Sequence, residues 1–298
     1  MAAMRRGDFA RAWEISDGVL RERKASGGGG WDLPRHEQNI WNGASLSGKR
    51  VLVRCYHGLG DTIQFIRFAA PLRAVAQEVI VWVQPSLMEL VKTARGVDNA
   101  IPLHDGTPDV DYDVDIEVME LVHALRIQPD TIPIEVPYLF PPQKAARSLG
   151  PGFNVGIVWE AGGWDPRRSI PAPHIAQLAR VSGITLHSLQ RGPAQKLVSQ
   201  ITASDISTDD VCETARRIRQ LDLIVCVDTM VAHLAGALGA PVWLLLHARC
   251  DWRWTAGLAS VWYPTMRVFR QAKPDDWSSV IASVRESLIE DSAARSPA

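Results

Sequence analysis

From residue 50 onward the apolar positions gather into short blocks instead of following one long helical period. Val51-Leu52-Val53 and "EVIVWVQ" (78–84) are such blocks, and continuous apolar runs of this length predict strands covered on both faces. Between them "DTIQFIRFAAPLRAVAQ" (61–77) spaces its apolar residues at helical intervals. It is predicted as a helix kinked at Pro71. "PSLMELVKTA" (85–94) reads as a second helix and "DVDIEV" (113–118) as a further strand. A proline-rich connector, "IPIEVPYLFPPQ" (132–143), closes this series.

The alternation then begins again. "NVGIVWE", "GITLHSLQ", "DLIVCVD" and "APVWLLL" read as strands. "APHIAQLARVS", a segment around 210–220, and "VAHLAGALG" read as the helices between them. Short apolar strands alternating with helices predict doubly wound parallel sheets, here two Rossmann-like halves joined by a hinge and facing a cleft. "DDWSSVIASVRESLIE" (275–290) is a closing helix, and the tail after Asp291 is expected to be disordered. At the other end, residues 7–24 form an amphipathic helix with Phe9, Ala12, Trp13, Ser16 and Leu20 on one face. It resembles the end of a tetratricopeptide-type repeat, and one such repeat cannot cover its own apolar face. The helix must therefore pack on the main body or on a partner, with Ser26–Gly30 as a flexible linker.

Composition narrows the function classes. The chain has 298 residues, 46% hydrophobic, with net charge −1, so no basic field points to nucleic acid. The basic clusters Arg21, Arg23, Lys24 and Arg216, Arg217, Arg219 read as solvated helix faces. Cys55, Cys212, Cys226 and Cys250 have no CxxC spacing and are expected as free thiols in a reducing compartment. No apolar run is long enough to span a bilayer. The expected location is cytoplasmic, or peripheral at the inner membrane.

Three strand-to-helix junctions could carry chemistry, and ligands in such sheets bind beyond the carboxyl ends of the strands. In "HGLGDT" (57–62), Gly58 and Gly60 permit a tight turn and close backbone approach, and Asp61 opens a helix. Asp61 is either a helix cap or the working carboxylate of a site. The glycines do not make a GxGxxG fingerprint, so a dinucleotide site is not supported. In "VCVDTMVAHLAGALGAPV", Asp228 ends a strand, Thr229 and Met230 open a helix, and His233 lies one turn in. A helix N-terminus suits a diphosphate; the alternative is a buried capping aspartate and a core histidine. In "VGIVWEAGGWDPRRSIP", a strand ends at Trp159 and a glycine-rich loop with Gly163 leads to Arg167 and Arg168. A guanidinium fork beside glycine-rich backbone suits phosphate oxygens.

Taken in order, "GLGDTIQF", "RSIP" and "VDTMVAHLAGALGAPV" resemble the ADP-heptose:lipopolysaccharide heptosyltransferase family (glycosyltransferase family 9). "DWRW" (251–254) and "WYPTMRVFRQ" (262–271) resemble the branch of that family in which the domain follows tetratricopeptide repeats. The similarity runs from about residue 45 to 271. It implies a GT-B fold: a helical extension and linker over 1–45, an acceptor domain over 46–145, a nucleotide-sugar domain over 146–272, and a closing helix and tail over 273–298. It further implies an inverting transferase using a nucleoside-diphosphate sugar such as ADP-heptose, with no metal and no other cofactor. Asp61 would be the general base, with Gly58 and Gly60 in its loop. Arg168, Asp228, Thr229, Met230, His233, Trp159 and Gly163 would bind the donor. The acceptor would be a glycan, a lipid-linked glycan or a protein, and the N-terminal helix would recruit a protein partner or a second copy. The chain departs from the family in carrying arginine where lysine is usual (Arg168) and methionine where glycine is usual (Met230).

Other patterns are set aside. Asp109, Asp111, Asp113, Asp115 and Glu117 fall on one face of an extended segment. Carboxylates pointing one way along a strand make a solvated or edge-protecting face, whereas a metal cage converges from several directions. His57, His123, His187 and His233 have no metal-ligand spacing. Trp82, Trp159 and Trp243 are expected in the core, while Trp252 and Trp254 either stack on a ligand or pack. Two other functions share the fold: a sugar-nucleotide epimerase or hydrolase, and a non-catalytic binding module.

Overall fold

A computed structural model describes residues 2–26, 32–144, 148–254 and 257–295. The chain divides into two compact units, Met1–Pro142 and Gln143–Ala298. In the first, β1 (Arg50–Arg54), β2 (Glu78–Val83), β3 (Asn99–Pro102) and β4 (Val114–Glu117) form one sheet in the order β3-β2-β1-β4, every pairing parallel. In the second, β5 (Phe153–Val158), β6 (Ile184–Ser188), β7 (Ser204–Asp205), β8 (Leu223–Val227), β9 (Val242–Leu246) and β10 (Met266–Arg270) form a parallel sheet in the order β10-β9-β8-β5-β6-β7. In each sheet the strand order reverses once, between β1 and β4 and between β5 and β8. Such a reversal leaves a crevice beyond the carboxyl ends of the two strands involved.

Val51, Leu52 and Val53 are fully buried, as a central strand covered on both faces requires. One face carries Leu52, Ile80 and Trp82, covered by Tyr56, Ile101, Leu103, Val110 and Tyr112. The segment expected as one kinked helix is Leu59–Phe65, a 3-10 turn Ile66–Phe68 and a second helix Ala69–Arg73. Pro71 lacks an N–H and its ring crowds the carbonyl four residues back, which is where the α-helical ladder gives way. In the second unit Phe153, Val155, Ile157, Val225 and Leu245 lie in one apolar cluster with Ile281, Val284 and Leu288 of the Trp277–Arg295 helix.

Three expectations change. The C-terminal helix continues past Asp291 to Arg295, because Ser292 donates to the Ser182 carbonyl at 2.8 Å and Arg295 reaches Asp222 at 3.0 Å and lies over the Phe153 ring. The carboxylate row is not uniformly solvated: Glu117 is 1% exposed, because its oxygens accept from Tyr56 N and Met119 N. Arg216 and Arg217 are drawn in by Glu213 at 2.8 and 3.1 Å, and their side chains are only 10% and 28% exposed.

The N-terminal helix Phe9–Ala25 packs on the main body of its own unit. Asp8 caps it, accepting from Arg11 N. Trp13 Nε1 donates to the Ile127 carbonyl at 2.7 Å, and Asp17 meets His123 and Arg126 at 2.9 and 2.7 Å. Asp17 and Arg126 hold the helix to the body through charge as well as apolar contact, and Arg126 lowers the Asp17 carboxyl. The glycines of the expected linker, 27–30, lie outside the described residues. All four cysteines are buried, Cys55 and Cys226 completely. Burial pushes both of those thiols well above their ordinary range.

Candidate functional site

The loop leaving β1 falls at the first sheet's order reversal. Gly58 is the N-cap of the Leu59–Phe65 helix and Asp61 is its third residue. Asp61 Oδ2 accepts from Gly58 N at 3.0 Å, so the carboxylate closes the helix's first turn. Gly58 has φ −66° and uses no left-handed conformation. What its missing side chain supplies is room, since a Cβ there would lie 3.2 Å from Asp61 Oδ2.

The same turn is held from two sides by residues outside the expected set. Gln84, just beyond β2, donates through Nε2 to the His57 carbonyl at 2.8 Å and accepts from Thr62 Oγ1 at 3.0 Å. Glu117, at the end of β4, places Oε1 3.0 Å from His57 Nδ1. A histidine followed by glycine in sequence gave no sign of this carboxylate, which comes from the neighbouring strand. Behind it, burial raises the Glu120 carboxyl, although Trp41 N and Glu117 N both donate to it.

In the second unit the strands flanking the reversal, β5 and β8, deliver the other two junctions. Trp159 is 1% exposed and its N–H, like that of Glu160, donates to Gln190 Oε1 at 3.0 and 2.9 Å. Gln190 Nε2 donates back to the Glu160 and Arg191 carbonyls. One buried amide thus ties the loop after β5 to the loop after β6. The glycine-rich loop that follows leaves Gly163 exposed with open space around its Cα. Asp165 folds the loop's end: it accepts from Arg167 N, Nε and Nη2 and lies 3.6 Å from His247 Nε2. The Arg167 guanidinium holds the Asp165 carboxyl down to about 2. Arg168 points elsewhere. Its Nη1 donates to the Asp228 carbonyl at 3.0 Å and its Nη2 to the Gly162 carbonyl at 3.5 Å.

The arginine is therefore fixed by neutral carbonyls at the junction where β8 meets the helix Met230–Ala237. Asp228 is 8% exposed. Burial pushes its carboxyl up, opposed by the Trp254 indole and by the charges of Arg168 and Arg253. Thr229 is the N-cap of that helix, yet its side chain makes no capping bond. Thr229 Oγ1 and Arg168 Nε are both buried and hydrogen-bond to no other protein group. Met230 begins the helix and is half-exposed. His233 is 5% exposed, with Nδ1 3.0 Å from the Tyr263 hydroxyl and Nε2 3.7 Å from Asp228 Oδ1. Gly236 lets Tyr263 approach, since a Cβ there would fall 2.4 Å from its ring. Trp252 and Trp254 are buried at 8% and 3% and pack, Trp252 on Trp262 and Trp254 on His233.

Chemically, the β8 junction brings together a helix start, a guanidinium held by carbonyls and the Thr229 hydroxyl, a set of donors whose chemistry suits an anion. The first offers a carboxylate in a turn of its own. Among the described residues no group of three or more His, Cys, Asp or Glu is placed to hold a metal ion, and no helix is long and apolar enough to cross a membrane.

No family model matches the chain. It is 22% identical to Protein FlbA of Caulobacter vibrioides over 287 aligned residues, covering 83% of this chain and 48% of that protein. The chain thus spans about half the length of that curated relative. Among solved structures it is similar to a glycosyl transferase family 9 protein from Veillonella parvula, at 13% identity and TM-score 0.58, covering 83% of this chain and 99% of the other. It is similar also to the E. coli heptosyltransferase WaaC with ADP-2-deoxy-2-fluoro heptose, at 13% identity and TM-score 0.56, covering 81% and 99%. At these identities the likeness is one of fold: the chain has the two parallel-sheet α/β units seen in heptosyltransferase structures of the GT-B type.

Proposed function

We propose that this chain is an inverting glycosyltransferase that needs no metal and moves a sugar from a nucleoside-diphosphate sugar to a glycan-type acceptor. The observation that carries the reading is Arg168, held at the start of the Met230–Ala237 helix by two carbonyls rather than by a carboxylate. Its charge is available to an anion, and Thr229, whose hydroxyl makes no capping bond, is the N-cap of the same helix. A diphosphate seated there would meet the helix N–H groups, the guanidinium and the hydroxyl together. These donors are in place before charge develops on the leaving group, and such preorganisation is commonly the largest catalytic contribution.

In this reading Asp61 takes the proton from the acceptor hydroxyl. The acceptor oxygen bonds to the anomeric carbon as the bond from that carbon to the diphosphate oxygen breaks. The nucleoside diphosphate leaves with the electron pair, and the sugar's configuration inverts. The heptosyltransferase likeness makes ADP-heptose the first donor to try. The test is calorimetric titration of the protein with ADP, UDP and GDP. One of the three is expected to bind in the micromolar range, and Arg168→Ala is expected to weaken it about tenfold or more, as loss of a charge-assisted contact does. An Arg168→Ala protein that binds as tightly as the wild type overturns the assignment.

A further inference from the structure

The loop leaving β5, from Trp159 to Ile170, is closed at its base: Ile170 N donates to the Trp159 carbonyl at 2.8 Å, and Ala161 N donates to Ser169 Oγ at 3.1 Å. Its outer part does not stay over its own strand. β9 lies beyond β8 on the side away from β5, all three running parallel, so their outgoing loops emerge side by side. Arg168 bonds the Asp228 carbonyl at the end of β8. Asp165 reaches one strand further and places Oδ2 3.6 Å from Nε2 of His247, the residue that follows β9. The loop is thus a strap across the end of β8.

Both ends of that far contact are fixed. His247 is 5% exposed, and Gln271, just past β10, holds the backbone on either side of it. Gln271 N donates to the Leu246 carbonyl at 2.9 Å, and its Oε1 accepts from Ala248 N at 3.2 Å. On the strap, Asp165 is the N-cap of the 3-10 turn Pro166–Arg168, and its carbonyl accepts from Arg168 N at 3.2 Å. Its carboxylate is shared. Arg167 of the same turn donates to both oxygens and folds the turn on itself, whereas His247 ties the turn to a separate strand.

We propose that His247 is a positioning residue of the diphosphate site: acting through Asp165, it sets where the Pro166–Arg168 turn carries Arg168 at the start of the Met230–Ala237 helix. This role rests on the reading of that junction as a nucleoside-diphosphate site. A guanidinium fork must meet phosphoryl oxygens in a fixed geometry, and the three-residue turn that bears this one is largely exposed. A contact from a neighbouring strand orders the turn in advance, so less ordering is left to be met on binding.

The test compares a nucleoside diphosphate with its parent nucleoside. The wild type, His247→Leu, His247→Gln, Asp165→Ala and the double variant His247→Leu with Asp165→Ala are titrated calorimetrically with ADP, UDP and GDP. Binding of the matching nucleoside is followed by NMR line broadening. Leucine fills the buried position without a polar atom, and glutamine keeps a side-chain N–H there. His247→Leu is expected to weaken the diphosphate about fivefold with the nucleoside unchanged, and His247→Gln to recover most of that loss. Asp165→Ala, at a position only partly buried, is expected to weaken it at least as much, and the double variant to bind as Asp165→Ala does. Equal loss in His247→Leu and His247→Gln, or equal loss of diphosphate and nucleoside, overturns the proposal, since a merely structural histidine gives either. Losses that add in the double variant overturn the route through Asp165. Wild-type affinity in His247→Leu, with loss in Arg168→Ala, overturns this inference alone. Failure of the wild type to bind any of the three diphosphates removes the underlying reading as well.

Discussion

Asp61 is asked to do two things. Its Oδ2 accepts from Gly58 N, which stabilises the first turn of the Leu59–Phe65 helix, and the proposed reaction needs the same carboxylate to accept a proton. Asparagine separates the roles, because its side-chain oxygen can still accept from Gly58 N but it takes up no proton at neutral pH. Asp61→Asn is expected to lower transfer about 10²–10⁴-fold with the midpoint of thermal unfolding unchanged. Transfer at the wild-type rate would leave Asp61 as a cap only. The residues themselves were legible in the sequence to different depths. Asp61, Asp228 and Arg168 could be picked out because each sits where a strand block gives way to a helix. Glu117, Gln190 and Tyr263 could not, because their importance comes from strands and loops brought beside the site by sheet order, and no local spacing records that order.

At the scale of elements, the short apolar blocks predicted seven of the ten described strands, and three were missed. Ser204–Asp205 and Asn99–Pro102 contain no buried residue, so they carry no hydrophobic run to detect. In Met266–Arg270 the buried Met266, Val268 and Phe269 are interrupted by Arg267 and followed by Arg270, so no continuous apolar block marks the strand. The row of aspartates before β4 misled about Glu117 because alternation gives a face without saying what covers it. The loop from Ala161 to Arg168 has a titration of its own. Asp165 is held below its ordinary carboxyl value, to about 2, first by the hydrogen bonds from the Arg167 side chain. A lowered acid contributes stability in full above its unfolded value and loses it as pH falls through its folded value. Urea unfolding of the wild type should therefore lose about 1 kcal/mol from this source between roughly pH 4 and pH 2, a figure reduced for solvent screening at a half-exposed loop. Asp165→Asn should lack that component. An identical acid dependence in both proteins would show that the Asp165–Arg167 contact does not contribute to folding.

At the scale of the molecule, the chain is two compact units, each with its own parallel sheet, and each holds a fully buried cysteine: Cys55 beside β1 and Cys226 within β8. Only a thiolate reacts readily with an alkylating reagent, and burial suppresses both access and ionisation here. The two thiols are therefore built-in clocks, each recording when its own unit opens. Labelling under mild denaturant, read peptide by peptide, times the units separately in one sample without any substitution. A nucleoside diphosphate at about a hundred times its Kd stabilises whatever binds it by about 2.7 kcal/mol. That delay is expected at Cys226 and not at Cys55, whereas equal delay at both would mean that the chain opens as one cooperative block.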